Sequence, residues 1–349
     1  MPTISSTFPH GRQPAASPKN ETGHPEQAPV RHSEASLDQD CSLAELMRSQ
    51  NSDGGWGYRS GQSSAIEPTC WALLAAGESG LDPINRQRVT SGAQFLKKAQ
   101  LTDGSWPTVV GGREGAWVTS LASLALGVLQ GPCVEVDAGL DWLSKSWPAE
   151  GGLWWRLRHR LFAQSHLVRQ DHRLRGWSWT PRTSSWVEPT AYALLAIRPS
   201  RGWHSTSSCV ERRVELARKM LCDRMCAGGG WNCGNPSVYG VAGESLVGPT
   251  CWALLALAEF ASRPQVQECI SQSLAWLERA HSKAQSQGSL ALAHLCLKAF
   301  RRVPRPIDSR LSDMHNKNHL MQQIPVLAWI SLAAQPVPRW IAPAANQKG

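Results

Sequence analysis

Two kinds of segment alternate along the chain from residue 41 onward. The first kind is apolar on every side, because a proline and a threonine open a run of alanine and leucine, as in residues 68–75. Proline suits the first turn of a helix, and a helix without a polar face must be buried. The pattern predicts six buried helices, at 67–76, 117–129, 188–197, 249–261, 288–300 and 324–334.

The second kind of segment is amphipathic, with Lys, Arg and Glu along one side, as in Val134–Trp147, Val210–Cys226 and Gln265–Gln285. This periodicity predicts helices with one exposed face. Five are clear, and a weaker sixth is expected at Ser309–Leu320. Alternation of buried and exposed helices favours a closed ring of helical hairpins. An open solenoid is the alternative, but it would leave the apolar helices exposed to solvent on one side.

A short motif precedes the apolar helices: glutamine, glycine four residues later, and tryptophan two residues after that, as in Gln100, Gly104 and Trp106. We assign the tryptophan position of four copies to Trp56, Trp106, Trp154 and Trp231, and expect these rings to be structural. From Trp154 the chain takes 36 residues to reach the helix-opening Thr190, against 13 in the first two copies. An insertion is therefore expected after Trp154.

The composition of the chain predicts its terminal tails, its location and the state of its cysteines. The 349 residues carry a formal charge of +9 and include 17 Trp but only 3 Tyr. Residues 1–39 are rich in Pro, Ser, His, Gln and Glu and predict a disordered tail, residues 40–335 the ring, and residues 336–349 a C-terminal tail. The chain has no apolar run of spanning length and does not open on a signal peptide, so a cytoplasmic location is expected. Its ten irregularly spaced cysteines predict buried, reduced thiols.

The repeated tryptophan motif and the apolar helices that follow it resemble the terpenoid cyclase and protein prenyltransferase superfamily, above all the repeat domain of squalene–hopene cyclases. The resemblance covers roughly residues 41–335. It implies an all-α fold, an α6–α6 toroid of about six helical hairpins whose inner helices surround an apolar central cavity. It says less about chemistry, since one fold hosts many functions.

Glu188 is the candidate catalytic acid. In class II terpenoid cyclases, Asp-x-Asp-Asp-Thr-Ala opens one inner helix and its central Asp protonates an alkene or epoxide; on residues 186–191, that Asp falls on Glu188. The first and third aspartates become Trp186 and Pro189, so both carboxylate neighbours are absent. Because Glu67 begins the same tripeptide in another copy, the alternative is a structural Glu at the positive end of a helix dipole.

A metal site is the second possibility. Prenyltransferase β-subunits hold zinc through Asp, Cys and His, and the family's Cys falls on Cys251, but Pro249 stands at the Asp position. Cys222, Cys226 and Cys233 form another cluster, whose spacing matches no common zinc pattern. We expect no metal and no cofactor, and leave the metal-binding capacity of this cluster open.

The insertion, at about 155–180, is basic and aromatic and includes Arg156, Arg158 and Arg160. Such arginines suit a diphosphate group, which they bind through paired hydrogen bonds. Contact with an anionic membrane surface and a solvated loop over the mouth of the ring are the alternatives. No nucleic-acid recognition module accompanies the charge, so nucleic acid is not expected as a partner.

Aromatic residues of the inner helices are candidates for binding substrate, since ring faces stabilise carbocations; packing between helices is the alternative. The function expected from the resemblance is an isoprenoid-handling enzyme of cyclase type that holds a polyprenyl or triterpenoid-like chain. A catalytically silent lipid-binding or scaffold protein and a prenyltransferase subunit are the alternatives. The candidate aromatic residues are Trp71, Trp117, Trp186, Tyr192 and Trp252.

Overall fold

The fold is described from a computed structural model. It describes residues 42–77, 81–152, 157, 170–171, 173–200, 208–302 and 323–343, all within one compact unit, Glu34–Gly349. The helices are α1 (42–48), α2 (Ile66–Gly77), α3 (Pro83–Ala99), α4 (Val118–Gln130), α5 (Val134–Lys145), α6 (Val187–Ser200), α7 (Ser208–Asp223), α8 (Val247–Leu257), α9 (Pro264–Lys283), α10 (Gln287–Ala299) and α11 (Ile324–Ala334). Short 3-10 turns cover Ala149–Gly151 and Ala258–Phe260, and strands β1 (Ser237–Val238) and β2 (Val241–Ala242) form an antiparallel hairpin.

The apolar helices form a closed inner ring. Each packs against the next in the order α2, α4, α6, α8, α10, α11, and α11 packs back against α2. Two hydrogen bonds join the ends, from Gln335 Nε2 to Ala75 O at 3.2 Å and from Ile324 N to Tyr58 O at 2.8 Å. Closure and the all-α toroid are thus confirmed, and every inner helix begins within two residues of its predicted start.

The amphipathic helices α3, α5, α7 and α9 pack outside this ring, each against the inner helix beside it. Their boundaries have local causes: Asp82 caps α3 by accepting from Asn85 N at 2.9 Å, and Pro83 occupies its first turn. The sixth outer helix predicted at Ser309–Leu320 and the tail predicted at 1–39 lie outside the described residues. Trp340 and Ile341, assigned to the C-terminal tail, are buried in the core.

One set of hydrogen bonds recurs in the loops that lead into the inner helices α2, α4, α6 and α8. In the first copy, the backbone N–H of Trp56 donates to Thr69 Oγ1 at 2.9 Å, and its indole N–H donates to Leu46 O at 2.7 Å. Both bonds recur in the other copies, with Trp106, Thr119 and Leu96; Trp177, Thr190 and Leu143; and Trp231, Thr250 and Leu221. These four tryptophans therefore fix the points at which α2, α4, α6 and α8 start.

The third copy corrects our assignment of Trp154. Trp177 makes the two hydrogen bonds of that position, to Thr190 and Leu143. The spacing from Trp177 to Thr190 is the ordinary 13, whereas Leu143 lies 34 residues before Trp177 instead of 10. The extra residues thus precede the repeat tryptophan, because the loop that starts the inner helix has kept its length.

Candidate functional site

The first turns of the inner helices meet at one end of the ring, and an aromatic cluster lies there. Trp71 of α2 stacks on Trp252 of α8, with ring centroids 4.9 Å apart and planes at 27°. These two helices are opposite one another in the ring order, so the stack crosses the ring axis. Tyr192 of α6 packs edge-on against both, at 5.8 and 5.4 Å. At this level the centre of the ring is filled by aromatic side chains.

Three further rings extend the cluster. Trp117, directly before α4, stacks on Tyr192 at 5.6 Å and contacts Trp179 edge-on at 4.8 Å. Trp329 of α11 packs against Trp71 at 5.8 Å. The structure thus brings together Trp71, Trp117, Tyr192 and Trp252 of the candidate set. Trp179 was missed because its loop follows the misplaced insertion.

Trp186 is the candidate aromatic that the structure places elsewhere. Its backbone N–H donates to Trp177 O at 2.9 Å in the third repeat loop, and its ring lies beside Gly234 of the fourth. It therefore packs between two loops. Arg156, Arg158 and Arg160 lie outside the described residues.

Glu188 lies in the first turn of α6, one turn before Tyr192 and beside Gly248 of α8. A helix N-terminus normally favours the ionised carboxylate. Here burial opposes ionisation, and the nearby Glu67 adds like-charge repulsion, so the pKa of Glu188 rises to about 7. The carboxyl is therefore half-protonated near neutral pH.

Glu67 holds the equivalent position in α2. Its Oε2 accepts a hydrogen bond from the hydroxyl of Tyr58 at 2.6 Å. Burial raises the pKa of Glu67, although Tyr58 and the nearby indole N–H of Trp71 favour its ionised form. The sequence predicted a helix-start role for Glu67 and gave no sign that its charge acts on Glu188. The site thus contains two carboxyl groups, one of which readily keeps a proton beside an aromatic surface.

A stacked arginine replaces the glutamine in the third repeat. In the first copy, Gln50 Nε2 donates to Gly54 O at 2.7 Å and to Arg88 O at 2.8 Å, which ties two outer helices to the loop. The third copy has Trp147 at the glutamine position. Arg213 of α7 reaches back instead, with its guanidinium 4.0 Å from the ring of Trp147.

This guanidinium is fully buried between two indoles, since it also lies 4.1 Å from the ring of Trp177. Its Nη2 donates to Ser146 O at 2.7 Å and to Gly176 O at 3.2 Å. Arg213 therefore performs the tethering that glutamine performs in the first copy, and Arg175 of the insertion also lies 5.0 Å from the ring of Trp147.

The described cysteines are all free thiols. Cys251, the candidate zinc ligand, is buried and contacts Cys296, whose Sγ lies 3.8 Å from Cys251 O. An interaction with Cys269 of α9 raises the pKa of Cys222. Across the ranges that the structure describes, no three His, Cys, Asp or Glu side chains are placed to hold a metal ion.

The architecture has relatives among solved structures. The chain is similar to the type II terpene cyclase MstE from Scytonema bound to geranylgeranyl dihydroxybenzoate, its substrate, with 14% identity and a TM-score of 0.52 over 90% of this chain and 85% of that one. The complex of MstE with merosterolic acid A, its product, is similar at 14% identity and a TM-score of 0.53, over 90% of this chain and 87% of that one. The fold is terpenoid cyclase-like. A protein from Actinoplanes is also similar, at 12% identity and a TM-score of 0.51 over 88% of this chain and 84% of that one.

At such identities the similarity establishes the terpenoid cyclase-like fold and leaves the chemistry to the residues of this chain. No protein-family model and no curated protein matches the sequence. In the described part of the chain, no helix combines the length and apolar character that crossing a membrane requires.

Proposed function

We propose that this protein binds an apolar isoprenoid-type chain at the aromatic cluster and that Glu188 is the acid in a reaction of the class II cyclase type. The observation that carries the proposal is the position of Glu188, whose half-buried carboxyl lies one turn before Tyr192 and has a pKa raised to about 7. The similarity to MstE, which binds a geranylgeranyl substrate, supports the same substrate class.

The chemistry follows from this placement. The protonated carboxyl of Glu188 transfers its proton to an alkene carbon of the chain, which leaves a carboxylate on the protein and a carbocation on the substrate. The final carbocation then loses a proton to water and becomes an alkene, and solvent reprotonates Glu188, so no net proton is consumed. Ring faces of the cluster, such as those of Trp71 and Trp252, stabilise the cation by about 2 kcal/mol each where water is excluded. Because the pKa is raised to about 7, about half of the Glu188 carboxyl groups carry the proton at neutral pH, at the cost of acid strength.

A catalytically silent binding protein is the second candidate, favoured by the stack of Trp71 on Trp252. In this arrangement the two rings occupy the space on the ring axis that a folded substrate would fill. The family's first and third aspartates are replaced by Trp186 and Pro189, and Glu67 supplies a carboxyl from another helix instead.

Incubation with geranylgeraniol and with squalene separates the two. Binding is followed by quenching of tryptophan fluorescence, and products by gas chromatography with mass spectrometry. If the protein is an enzyme, we expect a cyclic product that is absent with Glu188→Gln, while binding persists. Glu188→Asp is the conservative variant, and Glu244→Gln, on an exposed loop, is the control. Binding without product in the wild type supports the silent protein, and absence of binding contradicts both.

We also propose peripheral contact with an anionic membrane surface, from which an isoprenoid would enter. Loops before the inner helices expose apolar side chains, including Val109 and Tyr239 at 68 and 75% exposure, and the basic residues Arg59 and Arg113 are exposed on the same kind of loop. Sedimentation with phosphatidylserine vesicles should carry the protein down, and Val109→Glu with Tyr239→Glu should abolish this. Equal behaviour with and without vesicles contradicts the proposal.

A further inference from the structure

Two buried charged side chains hold one residue of the loop before α6. The backbone N–H of Ser185 donates to Glu150 Oε1 at 2.8 Å, and Arg224 Nη1 donates to the carbonyl oxygen of Ser185. The two charges are also paired, since Arg224 Nη2 lies 3.6 Å from Glu150 Oε1, and their side chains are 2% and 0% exposed. Glu150, Arg224 and these bonds form an ionic clamp, three residues before Glu188.

We propose that Glu150 and Arg224 are positioning residues for Glu188. By holding Ser185 on both sides, they fix the start of α6, so that the carboxyl of Glu188 stays one turn before Tyr192 and the aromatic cluster. The inference rests on the proposed function, in which Glu188 is the acid. It assigns a role in that function to two residues outside the aromatic cluster.

The two residues after Ser185 are held by other parts of the chain. The N–H of Trp186 donates to Trp177 O at 2.9 Å, within the same loop. The N–H of Val187 donates to Cys233 O at 3.1 Å, in the next loop. Three consecutive N–H groups before the candidate acid are therefore bound, and the clamp adds charges that follow the outer helices α5 and α7. A proton donor needs such a fixed position, because transfer depends on its distance from the substrate.

The first copy uses the same loop position differently. Asp53 occupies the position of Glu150, directly before a glycine, as does Asp103 in the second copy. Asp53 accepts a hydrogen bond at 2.7 Å from the hydroxyl of Ser64, the equivalent of Ser185. Glu150 is one carbon longer and accepts from a backbone N–H. A hydroxyl can rotate, whereas bonds to the N–H and the carbonyl of one residue hold the chain itself.

Stability alone does not account for the clamp. A buried ion pair repays its desolvation only where its polar atoms are satisfied, and apolar residues of similar volume often stabilise a protein as well or better. Within the described residues, Glu150 Oε2 and Arg224 Nε have no hydrogen-bond partner. An apolar pair would fill the same space, but it could not bind the N–H and the carbonyl of Ser185.

This difference defines the test variant, Glu150→Leu combined with Arg224→Met. The apolar pair should recover stability relative to Arg224→Met alone, which leaves the carboxylate of Glu150 buried without its partner. The clamp is absent in the double variant, so the amides at 185–188 should exchange about tenfold faster or more, measured by hydrogen exchange with mass spectrometry. The amides at 64–67 of the first copy are the internal control, because a global loss of stability acts on both segments. Asp103→Asn, at the equivalent acid position of the second copy, should change neither segment.

The ionisation of Glu188 is a readout that a merely structural pair would not move. Burial and Glu67 raise the pKa of Glu188 to about 7. In the double variant the freed turn exposes the carboxyl to water, so its pKa should fall toward the ordinary 4.5. Urea unfolding of the double variant with and without Glu188→Gln, across this pH range, measures the fall. The double variant removes one charge of each sign and keeps Glu67, so the fall reports the position of the carboxyl. Where the wild type forms product, the double variant should lower kcat and leave KM unchanged.

The outcomes separate this inference from the proposed function. Unchanged exchange at 185–188 and an unchanged pH range for Glu188 would overturn the positioning role and leave Glu188 as the acid. A pH range that moves in a protein without cyclic product supports the positioning role and contradicts the enzyme. If the double variant does not fold, the wild type decides, because its amides at 185–187 should exchange more slowly than those at 64–66. Equal exchange there contradicts the clamp.

Discussion

Glu188→Gln is expected to stabilise the protein at alkaline pH. Burial and Glu67 raise the pKa of Glu188 from 4.5 to about 7 in the folded protein, so the folded state binds a proton more tightly than the unfolded chain. The stability of the wild type therefore falls as the pH rises from about 4.5 to about 7, and is fully reduced above that. Glutamine has no such penalty, since it stays neutral throughout.

The magnitude follows from the shift. At about 1.4 kcal/mol for each pKa unit, the wild type loses about 3 kcal/mol across this window. Urea unfolding at pH 4.5 and pH 8 measures the difference in unfolding free energy between the two proteins. That difference should favour Glu188→Gln by about 3 kcal/mol more at pH 8 than at pH 4.5.

Two controls make the experiment specific. Glu67→Gln removes the like charge, so in that background the pH window of the effect should shift downward. Glu244→Gln changes an exposed carboxylate and should show no pH-dependent difference from the wild type. If Glu188→Gln and the wild type lose stability equally between the two pH values, Glu188 is not the buried acid described here, and its proposed role in proton transfer loses its basis.

Three further substitutions test the frame around the site. Thr190→Val leaves the buried N–H of Trp177 unpaired and should cost about 2 kcal/mol in urea unfolding, whereas exposed Thr108→Val should change little. Gly104→Ala would place a Cβ 2.6 Å from Ala138 O, at a φ of +88°. Gly111 has a similar φ of +81° but open space around it, so Gly104→Ala should lower the thermal midpoint far more than Gly111→Ala. Equal losses would contradict this steric argument. Glu150→Gln breaks a buried ion pair, 3.6 Å from Arg224 Nη2, and should cost about 3 kcal/mol in urea unfolding; a neutral result would show that Arg224 does not depend on it.

Much of the ring was predictable from local pattern, because helices apolar on every side can only lie in an inner layer. The third repeat was not, because its insertion lies between the outer helix and the tryptophan and breaks the spacing that the other copies share. Trp177 carried a usable signal, because the 13 residues from it to Thr190 are the spacing of the first two copies.

The features of the site that the sequence did not predict arise from contacts between helices that are distant along the chain. Glu188 was found through its place at the start of a helix, but the repulsion by Glu67 arises only when the ring closes. The interaction of Cys222 with Cys269 was likewise hidden, since Cys226 and Cys233 are closer to Cys222 in sequence and Cys269 lies on another helix. The direction of each side chain also determines which candidate aromatic residues join the cluster. Trp186 faces a neighbouring loop, whereas Trp252 faces the ring axis.

The filled axis does not by itself decide between an enzyme and a silent binder. Each aromatic contact in the cluster contributes about 0.5–1.5 kcal/mol, so moving Trp71 out of the stack, which breaks its contacts with Trp252, Tyr192 and Trp329, costs about 1.5–4.5 kcal/mol. Burial of two isoprene units, at about 0.8 kcal/mol for each of their roughly ten carbons, offsets that cost. An isoprenoid chain can therefore displace the rings, and the two candidates differ in the state of Glu188 once water has been excluded. A further rise in its pKa keeps the proton in place for transfer to an alkene, so binding in the enzyme should be coupled to uptake of a proton near pH 7. Binding without proton uptake and without turnover would identify the binder.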